Sequence, residues 1–490
     1  MKKLYLLTGI FMLAIATSIK AQNAHEDFQS FRQRMHSNYN TFRRGILDDY
    51  AQFLDNAWKE FSSFAGTKRN TVPKPDAAPV YTPSESPVAE PQPVTPTIAP
   101  QKVIPTTPPV PHAPVDTPTE PTSVPEVTIR NANITLYGLS LLIPQIDFHD
   151  VLGNVSEQNI SSYWKAIHQT DTDKCINALS QYATQYHLGD YCTFTMIMRY
   201  AENILRTQSS SAQRILAQYL MLALGYDVRL ALADGEVRLL LPFQQQVYGN
   251  SYFIQQDIKF YIFPNRENEK VSAHICQLPR NKDAGRKINL IINPSCILPM
   301  KPQAYSISNN HLSLSGVVNT NIIELMKNYP AMDIPCYASS NPDRQLRKEI
   351  VEQIKKQVKG MDGMQAIDAL LHFVQKAFLY QTDEEQFGAG VEKAFFVEET
   401  LYYPYCDCED RSIFFAYLVR NILGMEVHLV TYPGHACTAV ALPQTPIQKD
   451  VVSYSYNGKR YYICDPTYIG ANAGSCMPAY INETPKVNEW

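Results

Sequence analysis

Apolar positions along the chain change their spacing three times, and each change marks a boundary. From Phe28 to Phe64 the aromatic residues recur every 11 positions. Phe28, Tyr39, Tyr50 and Phe61 form one row, and Phe31, Phe42, Phe53 and Phe64 form another. Eleven residues close three helical turns at about 3.67 per turn, so each row stays on one face with little supercoil. The pattern predicts a single amphipathic helix of about 40 residues. Such a stripe has no sequence-adjacent element to cover it, so self-association or docking, on a partner or on the folded part of the chain, is expected. Between Pro73 and Pro125 the apolar pattern stops. That stretch holds half of the chain's 34 prolines and no Gly, Leu, Phe or Trp. It predicts an extended polyproline-like spacer that stays unpacked.

Beyond Thr128, helical spacing alternates with short strand-like runs, and three blocks occur twice in the same order. CINALSQYATQYHL (175–188) parallels AIDALLHFVQKAFL (366–379) as an amphipathic helix. AQYLMLALGYDVRLALADGEVRLLLP (217–242) parallels AYLVRNILGMEVHLVTYPGHACTAVALP (416–443), each a helix stopped by a glycine and followed by two strands. KFYIFP (259–264) parallels RYYICDP (460–466) as a third strand. Three matched blocks predict an internal duplication. Residues 269–342 read as a β-rich connector between the copies. A capped helix with Pro342 at its first position is expected to follow and to stop at Gly360.

The copies differ in their polar residues. Cys408 stands at the start of a helix, His435 in a Pro-Gly-His-Ala turn entering a strand, and Asp465 at the end of a strand. Ungapped alignment puts Ser209 and Glu236 opposite the first two and no acid opposite the third. A thiol at a helix N-terminus, an imidazole and an acid to orient it supply nucleophile, base and orienter. The first copy, with a serine lacking a nearby imidazole, is expected to be inactive.

These residues resemble the transglutaminase-like superfamily of papain-fold thiol enzymes. Arg420 falls 12 positions after Cys408, then come Leu423-Gly424-Met425, His435-Ala436 and Asp465-Pro466-Thr467. The resemblance covers roughly 343–480. It implies Cys408 as nucleophile, His435 as general base and acid, and Asp465 as the orienting acid. The pattern departs after His-Ala, where Cys437 replaces the usual aromatic residue that would shield the imidazole. Tyr405 and Gln386 are the candidates for an oxyanion hole. Asp407, Glu409 and Asp410 crowd the helix start, where they suit the dipole and oppose thiolate formation. Two other fates for the cysteines stay open. Cys406, Cys408, His435 and Cys464 could form a tetrahedral zinc site, although C-x-C is less usual than C-x-x-C and Asp465 would then lack a role. Cys406 and Cys408 could also be partners in disulfides elsewhere.

Composition narrows the rest. With a net charge of −4 and a pI near 6.3 there is no basic surface, so nucleic acid is excluded as an expected partner. Lys2 and Lys3 precede an apolar run ending near Ala16, with a small residue at Ala21. That is a secretory signal, which implies export to a periplasmic or extracellular space, and no transmembrane segment is expected.

The expected organisation is a signal peptide (1–21), an 11-residue-repeat helix (22–66), a Pro-rich linker (67–127), a degenerate domain (128–268), the connector (269–342) and the catalytic domain (343–490). The fold class is α+β, with a duplicated papain-like unit. The expected activity is hydrolysis of amide or peptide bonds in a protein or peptide substrate through an acyl-enzyme on Cys408, with no cofactor and no metal. The alternatives are an amine-accepting cross-linking transferase and a non-catalytic scaffold.

Overall fold

The computed structural model describes residues 40–62, 70–72, 74, 78–82, 130–266, 271–276, 285–447 and 449–488. The signal-like segment, positions 28–39 of the aromatic repeat and most of the proline-rich stretch lie outside them. Helices and antiparallel sheets are segregated along the described chain, which is an α+β arrangement. Helices Glu157–Gln169, Asp173–Gln185, Gly189–Ile204 and Ser210–Ala223 precede one sheet. Helices Arg344–Gln357, Gly363–Ala377, Asp383–Phe387, Val397–Tyr402 and Cys408–Leu418 precede the other. No helix among the described residues is long and apolar enough to cross a membrane.

The two sheets share one strand order. In the first, the neighbours run Tyr252–Gln255, Ile258–Phe263, Glu236–Pro242, Arg229–Ala233 and Ser272–Cys276. In the second they run Ser453–Tyr456, Lys459–Cys464, His435–Val440, Val427–Tyr432 and Lys486–Asn488. All these pairs are antiparallel. Each central hairpin closes through two residues: Asp234-Gly235 after Ala233, and Pro433-Gly434 after Tyr432. Gly434 takes φ 67, where an L side chain is disfavoured, while Pro433 presets its own φ. Glu236 and His435 are therefore the first residues of equivalent strands, as the sequence alignment placed them.

The single long helix does not form. Residues 40–53 are helical, a turn follows at 54–56, and Trp58–Ser62 is a strand. That strand pairs antiparallel with Ser272–Cys276 and makes a sixth strand of the first sheet. An open sheet edge offers unpaired N–H and C=O groups, and an aromatic-rich segment that can reach it gains a ladder there that a lone helix would forgo. The turn is fixed at Leu54, whose carbonyl accepts from Trp58 Nε1 at 2.7 Å and from Ser161 Oγ at 3.0 Å. The described part of the stripe docks on the folded part of the chain, and its buried face is Arg43, Leu47, Tyr50 and Leu54. Phe42, in the other aromatic row, is half exposed. Tyr50 packs on Trp164 with ring centroids 4.9 Å apart and planes tilted by 38°, and Arg43 pairs with Asp173 beneath the helix.

Two further expectations are corrected. Part of the proline-rich stretch is packed: Val80–Tyr81 pairs in parallel with Tyr468–Ile469, and Lys74 Nζ lies 2.7 Å from Glu384. The connector is not a β unit by itself. Its first strand, Ser272–Cys276, completes the first sheet, its hairpin Pro302–Ser308/Ser313–Asn319 lies against helix Arg344–Gln357, and it carries helices Thr320–Lys327 and Ile334–Ser339. Side-chain amides of Gln353 and Gln357 bond the hairpin backbone at Ser315 and Ser313, which ties the hairpin to that helix. The cap of the helix is Asp343 rather than the residue before Pro342, accepting from Gln345 N and Leu346 N.

Tyr50 is fully buried in the core of the first unit, so Tyr50→Ala is expected to cost about 3 kcal/mol or more. This should lower the first unfolding transition in urea. An unchanged midpoint would show that residues 40–62 are dispensable to the core.

Candidate functional site

Helix Cys408–Leu418 sits in the middle of the second unit, and all eleven of its residues are buried. It packs on strand His435–Val440 and on helices Ile334–Ser339, Gly363–Ala377 and Val397–Tyr402. Asp407 is its N-cap, accepting from Glu409 N at 3.1 Å, and Asp410 completes a capping box by accepting from Asp407 N at 3.2 Å. The second oxygen of Asp410 accepts from Phe395 N at 2.7 Å. These acids therefore do more than complement the dipole: they fix where the helix begins. The helix ends in a π-helical turn, Val419–Leu423, where Arg420 donates to Ala338 O at 3.2 Å. The motif arginine is thus a structural tie.

Capping puts Cys408 in the first turn, facing the start of strand His435–Val440. Cys408 Sγ accepts from Ala436 N at 3.4 Å. Ser412 Oγ, one turn on, lies 2.6 Å from Cys408 O and 3.1 Å from Ala436 O, bridging helix and strand. His435 Nε2 meets Asp465 Oδ2 at 2.8 Å, and Asp465 Oδ1 accepts from Thr467 N at 2.8 Å. Cys408, His435 and Asp465, 57 residues apart from first to last in sequence, thus converge on one buried spot. His435 Nδ1 is buried and has no hydrogen-bond partner, so the imidazole makes no hydrogen bond to the Cys408 thiol.

Of the oxyanion candidates, Gln386 and Tyr405 come together: Gln386 Nε2 donates to Tyr405 O at 3.4 Å. Tyr405 itself forms a short parallel pairing with Leu379. Burial pushes the Cys408 thiol well above its ordinary value, Asp407 and Glu409 push it the same way, and the Ala436 N–H acts against them. Asp407 is itself held up to about 7, first by burial and then by Asp383.

The zinc set considered above does not assemble. Among the described residues the one group of three potential ligands is His435, Cys437 and Asp465, whose ligand atoms lie within 4.8 Å of one another. Nε2 of His435 is already bonded to Asp465 in that group. The ten cysteines are free and buried, so Cys406 and Cys408 are not disulfide partners.

Two supporting residues were not foreseen. Tyr480 stacks on the His435 ring with centroids 5.1 Å apart and planes 11° from parallel. It covers one face of the imidazole ring. Its hydroxyl reaches Pro433 O, in the turn that carries His435, at 3.4 Å. Gln375, buried on helix Gly363–Ala377, donates to Asp465 O and Ala471 O, both at 3.1 Å, and accepts from Gly470 N at 3.0 Å. The only sequence signal for Gln375 was a polar residue on the apolar face of a helix.

No family model, curated protein or solved structure matches the chain.

The buried carboxyls set a pH dependence. Burial holds Asp383 up to about 6, Asp407 to about 7 and Glu398 to about 8. Carboxyls of the unfolded chain titrate near 4. Folding therefore keeps protons that the unfolded chain has released, so the stability contribution is complete below about pH 4 and is lost as pH rises through 6 to 8. The melting temperature of the second unit should fall between pH 5 and pH 8.5, and Glu398→Gln should flatten the slope. A melting temperature that rises over that range would contradict the assignment.

Proposed function

We propose that the second unit is a transglutaminase-like thiol hydrolase of papain-like fold that cleaves amide bonds in protein or peptide substrates. The observation that carries the reading is the convergence at one place: Asp465 bonded to His435 Nε2, and Cys408 Sγ against the backbone one residue beyond. With Nε2–H directed to the carboxylate, Nδ1 holds the lone pair, and it is this atom that lacks a partner. In the proposed cycle Nδ1 takes the Sγ proton and the sulfur attacks the amide carbonyl carbon. The oxyanion is met by N–H groups, with Gln386 Nε2 as the candidate side chain. The imidazolium then gives its proton to the departing amine, and water attacks the thioester with His435 again as base. Transfer to an amine would use the same first half, and nothing in the site favours that acceptor over water.

The shared strand order supports descent of both units from one papain-like unit, the first having lost the chemistry. Ser209 caps helix Ser210–Ala223 by accepting from Ala212 N, and Glu236 is bound by Arg266 at 2.8 Å with Arg214 and Arg238 close by. Neither side chain is left to act as nucleophile or base. A second reading, a non-catalytic scaffold, is favoured by the complete burial of Cys408 and its raised thiol.

Hydrolysis of a dye-labelled unfolded protein separates the two. The wild type should cleave it, and Cys408→Ala should lose at least about 10³-fold. Wild type and variant giving the same background rate would leave the scaffold standing. Within the hydrolase reading, Tyr480→Ala should lower kcat/KM about 3- to 10-fold, the worth of one ring stack on the imidazole. An unchanged kcat/KM would reduce Tyr480 to a bystander.

A further inference from the structure

The described residues 70–72, 74 and 78–82 touch both units although they begin a stretch that has no core of its own. Asn70 O accepts from Gly249 N, at 2.8 Å, in the first unit. Lys74 pairs with Glu384 on helix Asp383–Phe387, the helix that carries Gln386. Farther on, Val80 N donates to Thr467 O at 3.2 Å and Thr82 N to Ile469 O at 3.0 Å. The segment is therefore anchored twice on the second unit, once beside an oxyanion candidate and once on the turn that carries Asp465.

The second anchor is made by main chain. Val80 and Tyr81 are 36% and 39% exposed, so neither is part of the buried core. Pro79 and Pro83 flank the pair, which leaves N–H groups only at 80, 81 and 82. What the edge recognises is an extended backbone with donors at alternate positions, a requirement many peptide sequences meet. The edge is also held in place without its occupant's help. Gln375 grips Asp465 O on one side and Gly470 N and Ala471 O on the other, and Thr467 N–H is bonded to Asp465 Oδ1. Any chain on this edge lies one residue from the turn that orients His435.

We propose that the Thr467–Ile469 edge is a docking track for an extended peptide segment of a protein substrate, and that Val80–Thr82 of the chain itself occupies the track as an internal competitor. The purpose of the track rests on the hydrolase reading, but the binding does not. A tethered occupant acts at a high effective concentration, so removing it raises the apparent affinity of a free peptide without changing the track.

The test uses the full chain with Val80→Pro and Thr82→Pro combined, which removes both N–H donors. The control, Val80→Ala with Thr82→Ala, keeps them. A fluorescein-labelled synthetic peptide with the sequence of residues 77–85 serves as probe in anisotropy titrations. The proline pair should bind it at least about tenfold more tightly than the wild type, and the alanine pair as the wild type does. In hydrolysis of an unfolded protein the proline pair should lower KM with kcat nearly unchanged. Equal probe binding by all three proteins, or none by any, overturns the track. Tighter binding by the proline pair with no hydrolysis by any form keeps the track and removes the hydrolase. Hydrolysis in all three with identical KM and identical probe binding keeps the hydrolase and removes the track.

Discussion

Burial of helix Cys408–Leu418 on every side is the constraint from which the rest of the second unit follows. A helix without a solvent face needs neighbours all round, and a strand with three helices supplies them. Its N-terminal N–H groups then have no water to bond, so they require acceptors from the protein. Asp407 and Asp410 are those acceptors, and that is why carboxyls stand in the interior at this point. The cap decides which residue opens the first turn, and the strand packed on that turn decides what faces it. Cys408 and the His435–Ala436 backbone meet because the cap and the Pro433-Gly434 turn are both fixed by local chemistry.

The same burial sets the electrostatics. A thiol near ionisable carboxyls in a dry interior stays protonated, because each neighbouring anion and the lack of solvent favour the neutral form. The helix dipole alone does not overcome this, given the direction in which Cys408 is moved. Activation in the proposed chemistry must therefore come from His435. The imidazole is kept in one tautomer by Asp465 and in one plane by Tyr480, while Gln375 holds Asp465 from behind. With Asp407 held up to about 7, its push on the Cys408 thiol fades as pH falls below that value.

How much of this was legible in the sequence depends on whether the signal was local. The Cys408, His435 and Asp465 positions could be read because each sits at an element boundary with its own punctuation: an acidic cap, a Pro-Gly turn, an Asp-Pro after a strand. The alternation that marks the two hairpins was equally local. Tyr480 was not legible, because it lies 45 positions after His435 and only the tertiary fold brings it onto the imidazole. Trp58–Ser62 was misread because aromatic residues every 11 positions fit a helical face and say nothing about an open sheet edge elsewhere. Glu236 shows the opposite case. Its alignment with His435 was a weak block match in the sequence, and the equivalent hairpin closures give that match its structural meaning.

Sheet edges explain why one N-terminal segment contacts both units. The first sheet would expose Ser272–Cys276 as an edge, and Trp58–Ser62 covers it. The short strand Tyr468–Ile469 would expose its own edge beside Asp465, and Val80–Tyr81 covers that. Open edges invite pairing with any extended chain, and a protein gains by supplying the partner itself. The two covers differ in permanence. The helix leading into Trp58–Ser62 buries Tyr50 and Leu54 in the core, so that strand is held by side chains as well as by its ladder. Val80 and Tyr81 are part-exposed and lie outside the buried core, and the bonds of Val80 and Thr82 to Thr467 and Ile469 are main-chain bonds that an incoming chain can replace one for one. The edge beside the candidate site is therefore the one whose cover can be exchanged without disturbing a core.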